Sequence, residues 1–272
     1  MFTIENEPLA AREGRKKILE SFDKLVFDEG PHIYTLGEQQ LISVTTLAEK
    51  YKEQFDVQLQ SEKYAKKHGE TAEYWRNKWK YTNLCSTTMG TLTHEYGESS
   101  AYVRNNHPEL ITDSCKMKYN KEHNWLIPTR LQENACSDFW DSIPNSLHFV
   151  LAEAKIFNLI KNPYAGTFDL LMYYEDEKDE SKSGFVIMDY KTNKSLISDY
   201  NRQNGVKLLS PFDDMIDEPK SIYTIQLSLY QMALEKIGIK VIARRLIYLQ
   251  RDGTFQKIAL PSIVDKLKKV FD

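Results

Sequence analysis

Three side chains near the middle of the chain could support metal-assisted chemistry: Asp169, Asp189 and Lys191. Residues two apart on a strand point to the same side, so the segment VIMDYKT would place the Asp189 carboxylate beside the Lys191 ammonium. Asp169 lies on the preceding apolar segment, and the short charged turn between the two segments predicts a hairpin. The two carboxylates would then lie close together and repel, and a divalent cation relieves such repulsion. A solvated strand end is the alternative for the Asp-x-Lys triplet taken alone.

Four polar side chains elsewhere could complete such a site. His94 shares a helix face with Glu98, and a neutral imidazole can add a nitrogen ligand to a carboxylate-bound metal. Glu153 lies on a neighbouring predicted strand and could be a further ligand. Gln226 and Tyr230 share one face of a predicted helix and could orient a catalytic group. Each also has a structural interpretation, as a hydrogen-bonded histidine, a solvent-facing strand residue or polar residues on a helix surface.

The stretch 61–81 combines positive charge with aromatic rings. It carries six Lys or Arg against three Glu, a local charge of +3, with Tyr and Trp residues between them. Aromatic rings stack on unpaired bases and Lys or Arg side chains follow phosphates, so this stretch indicates contact with single-stranded nucleic acid. An amphipathic helix with its Trp residues packed inside is the alternative. The candidate contact residues are Trp75, Arg76, Lys78, Trp79 and Lys80, with Arg244 as a further phosphate contact.

The elements that would position these residues mix helices and strands. Helical patterns cover 12–26, 61–81, 129–141, 221–238 and 262–271, and a further helix would be capped by Ser86 to Thr88. Strand patterns cover 148–158, 166–175, 184–192 and two segments around a turn at Asp252 and Gly253, with an earlier hairpin around Gly37. Residues 106–130 are expected to be irregular. This order predicts an α/β or α+β fold, a central mixed β-sheet flanked by helices.

Composition and charge limit the classes of protein. The chain has 272 residues, of which 41% are hydrophobic and 28% charged, as in ordinary globular proteins. No apolar run reaches the roughly 18 residues that predict a membrane span. The net charge of −3 means that DNA binding would need a local basic face or metal ions. Cys85, Cys115 and Cys136 form no CxxC pair, which favours a reducing compartment without disulfides or structural zinc.

Together these motifs resemble the RecB-like branch of the PD-(D/E)XK nuclease superfamily. The matching segments, in the family's order, are GTLTHEYGE (90–98), Glu153, GTFD (166–169), DYK (189–191) and QLSLY (226–230). The segment ISVTT is also similar to the entry of phage and mitochondrial genome-maintenance exonucleases. The resemblance implies a restriction-endonuclease-like core over 86–272. It also implies an N-terminal hairpin and helical region over 1–85 that could clasp a strand.

The resemblance implies a metal-binding role for several matching residues. His94, Asp169 and Asp189 would bind Mg²⁺, which Mn²⁺ could replace, with help from the backbone carbonyl of Tyr190. Lys191 would position or activate the attacking water. Members with an iron–sulfur cluster use four cysteines, so no such cluster is expected in this chain.

The same resemblance implies that Glu153 supports the metal site and that Gln226 and Tyr230 brace it or contact the strand. The expected activity is hydrolysis of DNA phosphodiester bonds to a 5′-phosphate and a 3′-hydroxyl. An exonuclease acting on single-stranded or frayed ends in replication, recombination or repair is the leading interpretation. Its partners would be DNA and proteins of recombination or replication, in the cytoplasm of a bacterium or a phage-infected cell.

Three alternatives stay open at this point. The same scaffold could carry a structure- or site-specific endonuclease, or a junction resolvase. The chain could instead be a non-catalytic nucleic-acid-binding component, although the intact set of Asp169, Asp189 and Lys191 argues against a degenerate site. A small-molecule metal hydrolase is the third alternative.

Overall fold

The computed structural model describes residues 7–28, 30–111 and 129–271. Its helices are α1 (Leu9–Ser21), α2 (Val44–Glu49), α3 (Val57–His68), α4 (Ala72–Arg104), α5 (Arg130–Asp141), α6 (Asp199–Asn204), α7 (Pro219–Lys236) and α8 (Val264–Phe271). Its strands are β1 (Leu25–Asp28), β2 (Ile33–Leu36), β3 (Gln39–Ser43), β4 (Leu147–Asn158), β5 (Tyr164–Tyr174), β6 (Gly184–Lys191), β7 (Val241–Leu249) and β8 (Phe255–Leu260). Single 3₁₀ turns cover Pro108–Leu110 and Glu180–Lys182. Most of the segment predicted to be irregular, and Cys115 with it, lies outside the described residues.

The strands form one mixed sheet in the order β1-β2-β3-β5-β6-β7-β8, with β4 pairing to β5. The β3–β5 and β6–β7 pairs are parallel and the other pairs are antiparallel. The predicted central mixed sheet flanked by helices is therefore confirmed. The predicted hairpin is β2–β3, and Gly37 adopts the positive φ of +60° that its turn requires. Among the described helices, none is both long and apolar enough to cross a membrane.

Strand β5 has a gap along one edge. Its first residues, Tyr164 and Ala165, pair with β3, whereas its pairing with β6 begins at Leu170. Strands β3 and β6 both pair with the same edge of β5. Strand β4 pairs with the other edge, from the first residue of β5 to the last. Within the described chain, residues 166–169 therefore have no strand partner on that edge. The GTFD motif occupies this opening in the sheet.

Helices cover both faces of the sheet and create two hydrophobic clusters. On one face, α1, α2, α7 and α8 pack in a cluster that includes Ile187 of β6. On the other face, α4 and α5 pack in a cluster that includes Met188. Neighbouring residues of β6 thus enter opposite clusters, so this apolar strand is buried on both faces.

Helix α4 runs without interruption from Ala72 to Arg104, so the predicted helix start at Ser86 to Thr88 is wrong. The Thr87 hydroxyl donates to the carbonyls of Asn83 and Leu84 one turn earlier, so it bonds within the helix instead of capping a new one. The first half of α4 forms a hairpin with α3, while its second half packs against β4, β6 and α5. The predicted boundary after residue 85 falls inside this helix.

Candidate metal centre

Three side chains from three elements converge at the opening in the sheet. They are His94 of α4, Glu153 of β4 and Asp169 of β5, and one possible ligand atom from each lies within 4.8 Å of the others. The His94 Nδ1 is 3.3 Å from Asp169 Oδ2 and 3.8 Å from Glu153 Oε1. A nitrogen and carboxylate oxygens at this separation are a donor set that can hold a divalent cation.

Glu153 reaches the site through an unusual backbone conformation. Its φ is +47°, in the left-handed region that side chains other than glycine rarely adopt. It lies between the pairs Ala152–Leu170 and Ala154–Phe168, which places it opposite Asp169, and β4 changes register nearby between Phe149 and Leu151. Strained conformations of this kind persist where the surrounding structure enforces them, often at functional sites. The two carboxylates are held face to face by this arrangement.

The charges of the three residues depend on one another. Burial alone would lower the pKa of His94, but the carboxylates of Asp169 and Glu153 outweigh it and raise that pKa well above its usual value. Burial raises the pKa of Glu153 to about 8, against the hydrogen bond from His94. Burial also acts to raise the pKa of Asp169, yet His94 and Lys191 outweigh it and lower that pKa. The raised pKa values of His94 and Glu153 show that this group favours bound positive charge, which a divalent cation can also supply.

Asp189 and Lys191 form an ion pair beside this group. Asp189 is buried, and burial together with the nearby Asp169 charge raises its pKa to about 6. Its Oδ2 is paired with the Lys191 ammonium, while its Oδ1 has no hydrogen-bond partner within the described part of the chain. The Lys191 ammonium also lies 4.5 Å from the centre of the Tyr223 ring, a cation–π contact from α7. Lys191 is therefore held from two sides, at the edge of the opening.

Close packing fixes α4 against the strand that carries this ion pair. The backbone N–H of Tyr190 donates to Asp169 Oδ2 at 2.7 Å, so β6 orients the carboxylate on β5. A side chain at Gly97 would meet the Tyr190 ring at 2.8 Å, which only glycine avoids. His94 and Gly97 lie on adjacent positions of one helix face. The absence of a side chain at position 97 thus lets α4 bring His94 to the strands.

Gln226 and Tyr230 pack behind the GTFD motif. The Gln226 Nε2 donates to the Tyr230 hydroxyl at 3.1 Å, and both side chains are buried. A side chain at Gly166 would meet the Tyr230 ring at 2.8 Å and Val44 at 3.0 Å. Glycine at this position is therefore needed for α2 and α7 to close on β5. Gln226 and Tyr230 also line the cleft, where they could brace the site or contact a ligand.

One cleft of about 690 Å³ is lined by six of these residues: His94, Glu153, Asp169, Lys191, Gln226 and Tyr230. Its acidic wall is formed by His94, Glu153 and Asp169 together with Glu95 and Glu98 of α4. The lining also includes Lys155, Lys191 and the rings of the β1–β2 hairpin. A ligand with a negative group could therefore meet both a metal-binding group and cationic side chains in the same space.

Comparisons with known proteins give this chain no family. No protein-family model matches it, and no curated protein matches it. Among solved structures it is similar to one described as "Crystal structure of SSO0001", with 13% identity and a TM-score of 0.31. That match covers 97% of this chain and 82% of the other. A likeness at this level carries no argument about function.

The ligand group differs in one member from the set predicted from the sequence. His94 and Asp169 belong to it as predicted, and Glu153, predicted as a supporting residue, completes it. Asp189, predicted as a ligand, lies outside this group of three; its Oδ2 is paired with Lys191, and a ligand role for it stays a prediction. Tyr190 contributes its backbone N–H to Asp169, and a ligand role for its carbonyl stays a prediction.

The predicted nucleic-acid contacts on 61–81 lie on the α3–α4 hairpin, far from this group. Trp75 and Trp79 pack against Tyr64 of α3 at ring-centre distances of 5.2 and 5.3 Å. Both Trp residues are half-buried between the helices, as in the alternative interpretation of this stretch. His94 lies 19 positions after Trp75 on α4, roughly 28 Å away at about 1.5 Å per residue.

The basic residues of that hairpin differ in whether their side chains are already hydrogen-bonded within the protein or exposed to solvent. Arg76 donates to Gln58 and Ser61 of the α3 turn, whereas Lys78 and Lys80 are exposed. Lys78 lies 4.7 Å above the Trp75 ring. Contact of these side chains with nucleic acid stays a prediction.

Arg244 is not brought to the cleft. It is buried between β7 and α7, where its Nη1 donates to Gln231 Oε1 at 2.5 Å. Burial lowers its pKa. The alternation of β7 points this side chain toward the helix that covers the sheet, and the sequence did not reveal that partner.

The sequence did not single out Tyr223, which holds Lys191, or Phe27 and Lys155, which line the cleft. Tyr223 lies three residues before Gln226 and seven before Tyr230, so helical periodicity places all three on one face. That spacing was a usable signal. No local pattern indicated Phe27, because it depends on how the N-terminal hairpin docks on the sheet.

Proposed function

We propose that this chain is a metal-dependent nuclease that hydrolyses phosphodiester bonds of DNA. The observation that supports this most strongly is the convergence of His94, Glu153 and Asp169 in a cleft that Lys191 also lines. A metal-binding group and a fixed cation beside it can promote hydrolysis of a phosphodiester by stabilising the charge that develops on the phosphate. The order of the sequence motifs supports the same activity by resemblance to PD-(D/E)XK nucleases.

The residues of the centre fit a divalent cation. Carboxylate oxygens suit Mg²⁺ and Mn²⁺, and the imidazole of His94 shifts the preference toward Mn²⁺. Asp189 supports this fit, because its buried Oδ1 has no hydrogen-bond partner among the described residues and the Asp169 charge acts on this carboxyl group. We therefore take His94, Glu153 and Asp169 as the holding group, with Asp189 beside it, and Mg²⁺ or Mn²⁺ as the cofactor.

When bound, the cation would lower the pKa of a water molecule and polarise a phosphoryl oxygen. The chain's own residues would do the rest. Lys191, held by Asp189 and Tyr223, would place its ammonium where negative charge develops on the phosphate. Hydrolysis adds one water across the P–O bond, so the attacking oxygen loses a proton and the leaving oxygen gains one. The Tyr190 N–H would keep the Asp169 carboxylate in a fixed orientation during this exchange.

The substrate and setting follow from the resemblance and are part of the proposal. We expect exonuclease activity on single-stranded or frayed DNA ends, in replication, recombination or repair in a cytoplasmic compartment. A structure-specific endonuclease on the same scaffold would use the same metal group. Closed circular DNA separates the two activities, because an exonuclease leaves a circle uncut.

The test is incubation with end-labelled linear DNA, single- and double-stranded, and with closed circular DNA. We expect cleavage of linear DNA with Mg²⁺ or Mn²⁺ and none with EDTA. Asp169→Asn removes a ligand charge at constant volume, and Lys191→Ala removes the fixed cation. Each should lower the cleavage rate on the order of a thousandfold, because Asp169 holds the metal and Lys191 stabilises the charge on the phosphate.

The matched control is Lys194→Ala, which removes an exposed ammonium three residues further along the chain. This variant should keep full activity. Cleavage at the wild-type rate by Asp169→Asn or Lys191→Ala would contradict the proposal. DNA binding without turnover under any metal would favour a non-catalytic binding component instead.

A further inference from the structure

The β1–β2 hairpin forms a wall of the cleft that no catalytic role accounts for. Phe27 of β1, His32 of the connecting turn and Tyr34 of β2 all line the same space as the metal-binding group. The Phe27 and Tyr34 rings are stacked at a centre distance of 4.5 Å and an angle of 25°. His32 meets the Phe27 ring edge-on at 4.9 Å. The wall is therefore a continuous aromatic surface.

Two polar contacts tie this aromatic wall to the strands of the metal centre. The Tyr34 hydroxyl lies 3.0 Å from the Thr167 hydroxyl, two residues before Asp169 on β5. Lys155, two residues after Glu153 on β4, donates from its Nζ to the Leu25 carbonyl at 2.8 Å. The wall consequently keeps a fixed position relative to both carboxylates.

The rings are placed to receive a ligand. Phe27 is half-buried and His32 is exposed, and both line the cleft, whereas Tyr34 is buried. Lys155 lines the cleft as well, and an ammonium has three donors, of which the Leu25 carbonyl uses one. Flat rings beside an ammonium suit a base with an attached phosphate.

We infer that the aromatic wall binds the base of an unpaired nucleotide next to the phosphodiester bond that is cut. Phe27 and His32 supply the stacking surface, and Lys155 contacts a neighbouring phosphate. Stacking is tolerant of sequence because every base has a π-face. The inference rests on the proposed function, since it takes the metal-binding group as the position of the reacting phosphate.

The α3–α4 hairpin is a weaker candidate for this role. The rings of Trp75 and Trp79 pack against Tyr64 and against each other. The aromatic wall, in contrast, shares one cleft with the carboxylates of Glu153 and Asp169. A base on this wall and a phosphate at the metal group can belong to adjacent nucleotides.

The experiment measures binding of fluorescein-labelled oligonucleotides by anisotropy, with Ca²⁺ added and Mg²⁺ and Mn²⁺ absent. One probe is an oligo-dT of about 12 nucleotides, and the other is an abasic strand of the same length, which keeps the phosphates but lacks bases. Phe27→Leu keeps an apolar side chain against Tyr34 but removes the flat ring. It should weaken oligo-dT binding on the order of tenfold and leave abasic binding unchanged.

The matched control is Val26→Ala, whose side chain points to the other side of β1 and is 59% exposed. It should bind both probes as the wild type does. Phe27→Trp should restore oligo-dT binding, which a purely structural role for Phe27 would not predict. Thermal melting of each variant shows whether the fold is retained.

The outcomes test the stacking role of the aromatic wall and the proposed nuclease activity independently. Unchanged oligo-dT binding in Phe27→Leu, or an equal loss for both probes, would overturn the stacking inference even if the protein cuts DNA. If the protein cuts no DNA but Phe27→Leu still loses base-dependent binding, the aromatic wall stands as a nucleotide subsite and the nuclease proposal falls.

Discussion

The two ends of helix α4 have opposite surroundings. Its second half packs on the sheet and carries His94 and the buried Glu98. Its first half is paired with α3 and leaves Tyr74, Tyr81 and Leu84 exposed. One helix therefore joins a tightly packed site to a projecting basic and aromatic hairpin.

Residues of the same type have different surroundings in the two hairpins, so residue type alone does not assign a function. Aromatic rings at the hairpin end hold two helices together, whereas rings of the β1–β2 hairpin face the cleft. Lysine residues show the same contrast in their surroundings. On the hairpin Lys78 and Lys80 are exposed, while Lys191 is half-buried. Burial alone would lower the pKa of Lys191, but its ion pair with Asp189 keeps that pKa above the usual value.

The largest expected contrast is in metal affinity. His94→Ala removes the nitrogen donor of the group, so we expect Mn²⁺ binding to weaken by at least roughly tenfold to a hundredfold. Trp79→Ala removes ring packing at the other end of α4, so hydrogen exchange should rise in the α3–α4 hairpin while Mn²⁺ affinity stays the same. Isothermal titration calorimetry and hydrogen exchange measure the two effects. An equal loss of Mn²⁺ affinity in Trp79→Ala would show that the two ends are coupled.

An intermediate effect concerns pH and the stability of the metal-free protein. The pKa of Glu153 is raised to about 8 and that of Asp189 to about 6, both above their values in an unfolded chain. A carboxyl group whose pKa is higher in the folded than in the unfolded protein contributes its full stabilisation at pH values below its pKa in the unfolded chain. That stabilisation is lost as the pH rises through the pKa in the folded protein. The lowered pKa of Asp169 acts in the opposite direction, but only under more acidic conditions.

We therefore expect the melting temperature in EDTA to fall between about pH 5 and about pH 8, by roughly 2–4 °C for each kcal/mol lost. Saturating Mn²⁺ should reduce or reverse this fall, because the ion binds the ionised carboxylates. Glu153→Gln should flatten the curve of the metal-free protein. A melting temperature that rises over this range in EDTA would contradict the assigned electrostatics.

The smallest expected effect belongs to the hairpin surface. The double substitution Lys78→Ala and Lys80→Ala removes two exposed ammonium groups, and we expect single-stranded DNA to bind only a few-fold more weakly. The slope of log affinity against log salt should fall by about 0.7 for each lost phosphate contact. Lys268→Ala with Lys269→Ala on α8 is the matched control. Equal slopes in the two double variants would remove the hairpin from the DNA-binding surface.

Much of the fold was accessible from the sequence because its strongest signals are local. The apolar run of β6, the pattern of α7 and the turns at Gly37 and Gly253 each predicted an element that the structure contains. The antiparallel pairing of β5 and β6 brings Asp169 and Asp189 to neighbouring positions, one residue beyond the pair Leu170–Met188. Hairpin geometry made that placement predictable.

The remainder depends on features that no short window contains. The position of Glu153 depends on a positive φ in a strand whose register shifts nearby. The burial of Arg244 depends on Gln231, a partner 13 residues away on another element. The continuity of α4 through Thr87 depends on hydroxyls that bond within the helix, whereas the same residue types commonly cap helices.

The close approach at Gly97 fixes the distance between helix α4 and strand β6 at the metal centre. The helix rests on the Tyr190 ring with no room for a single extra carbon atom. The neighbours of Tyr190 in the chain are Asp189 and Lys191, and His94 lies one turn before Gly97. One missing methyl group at position 97 thus sets how closely helix α4, which carries His94, approaches strand β6, which carries Asp189 and Lys191.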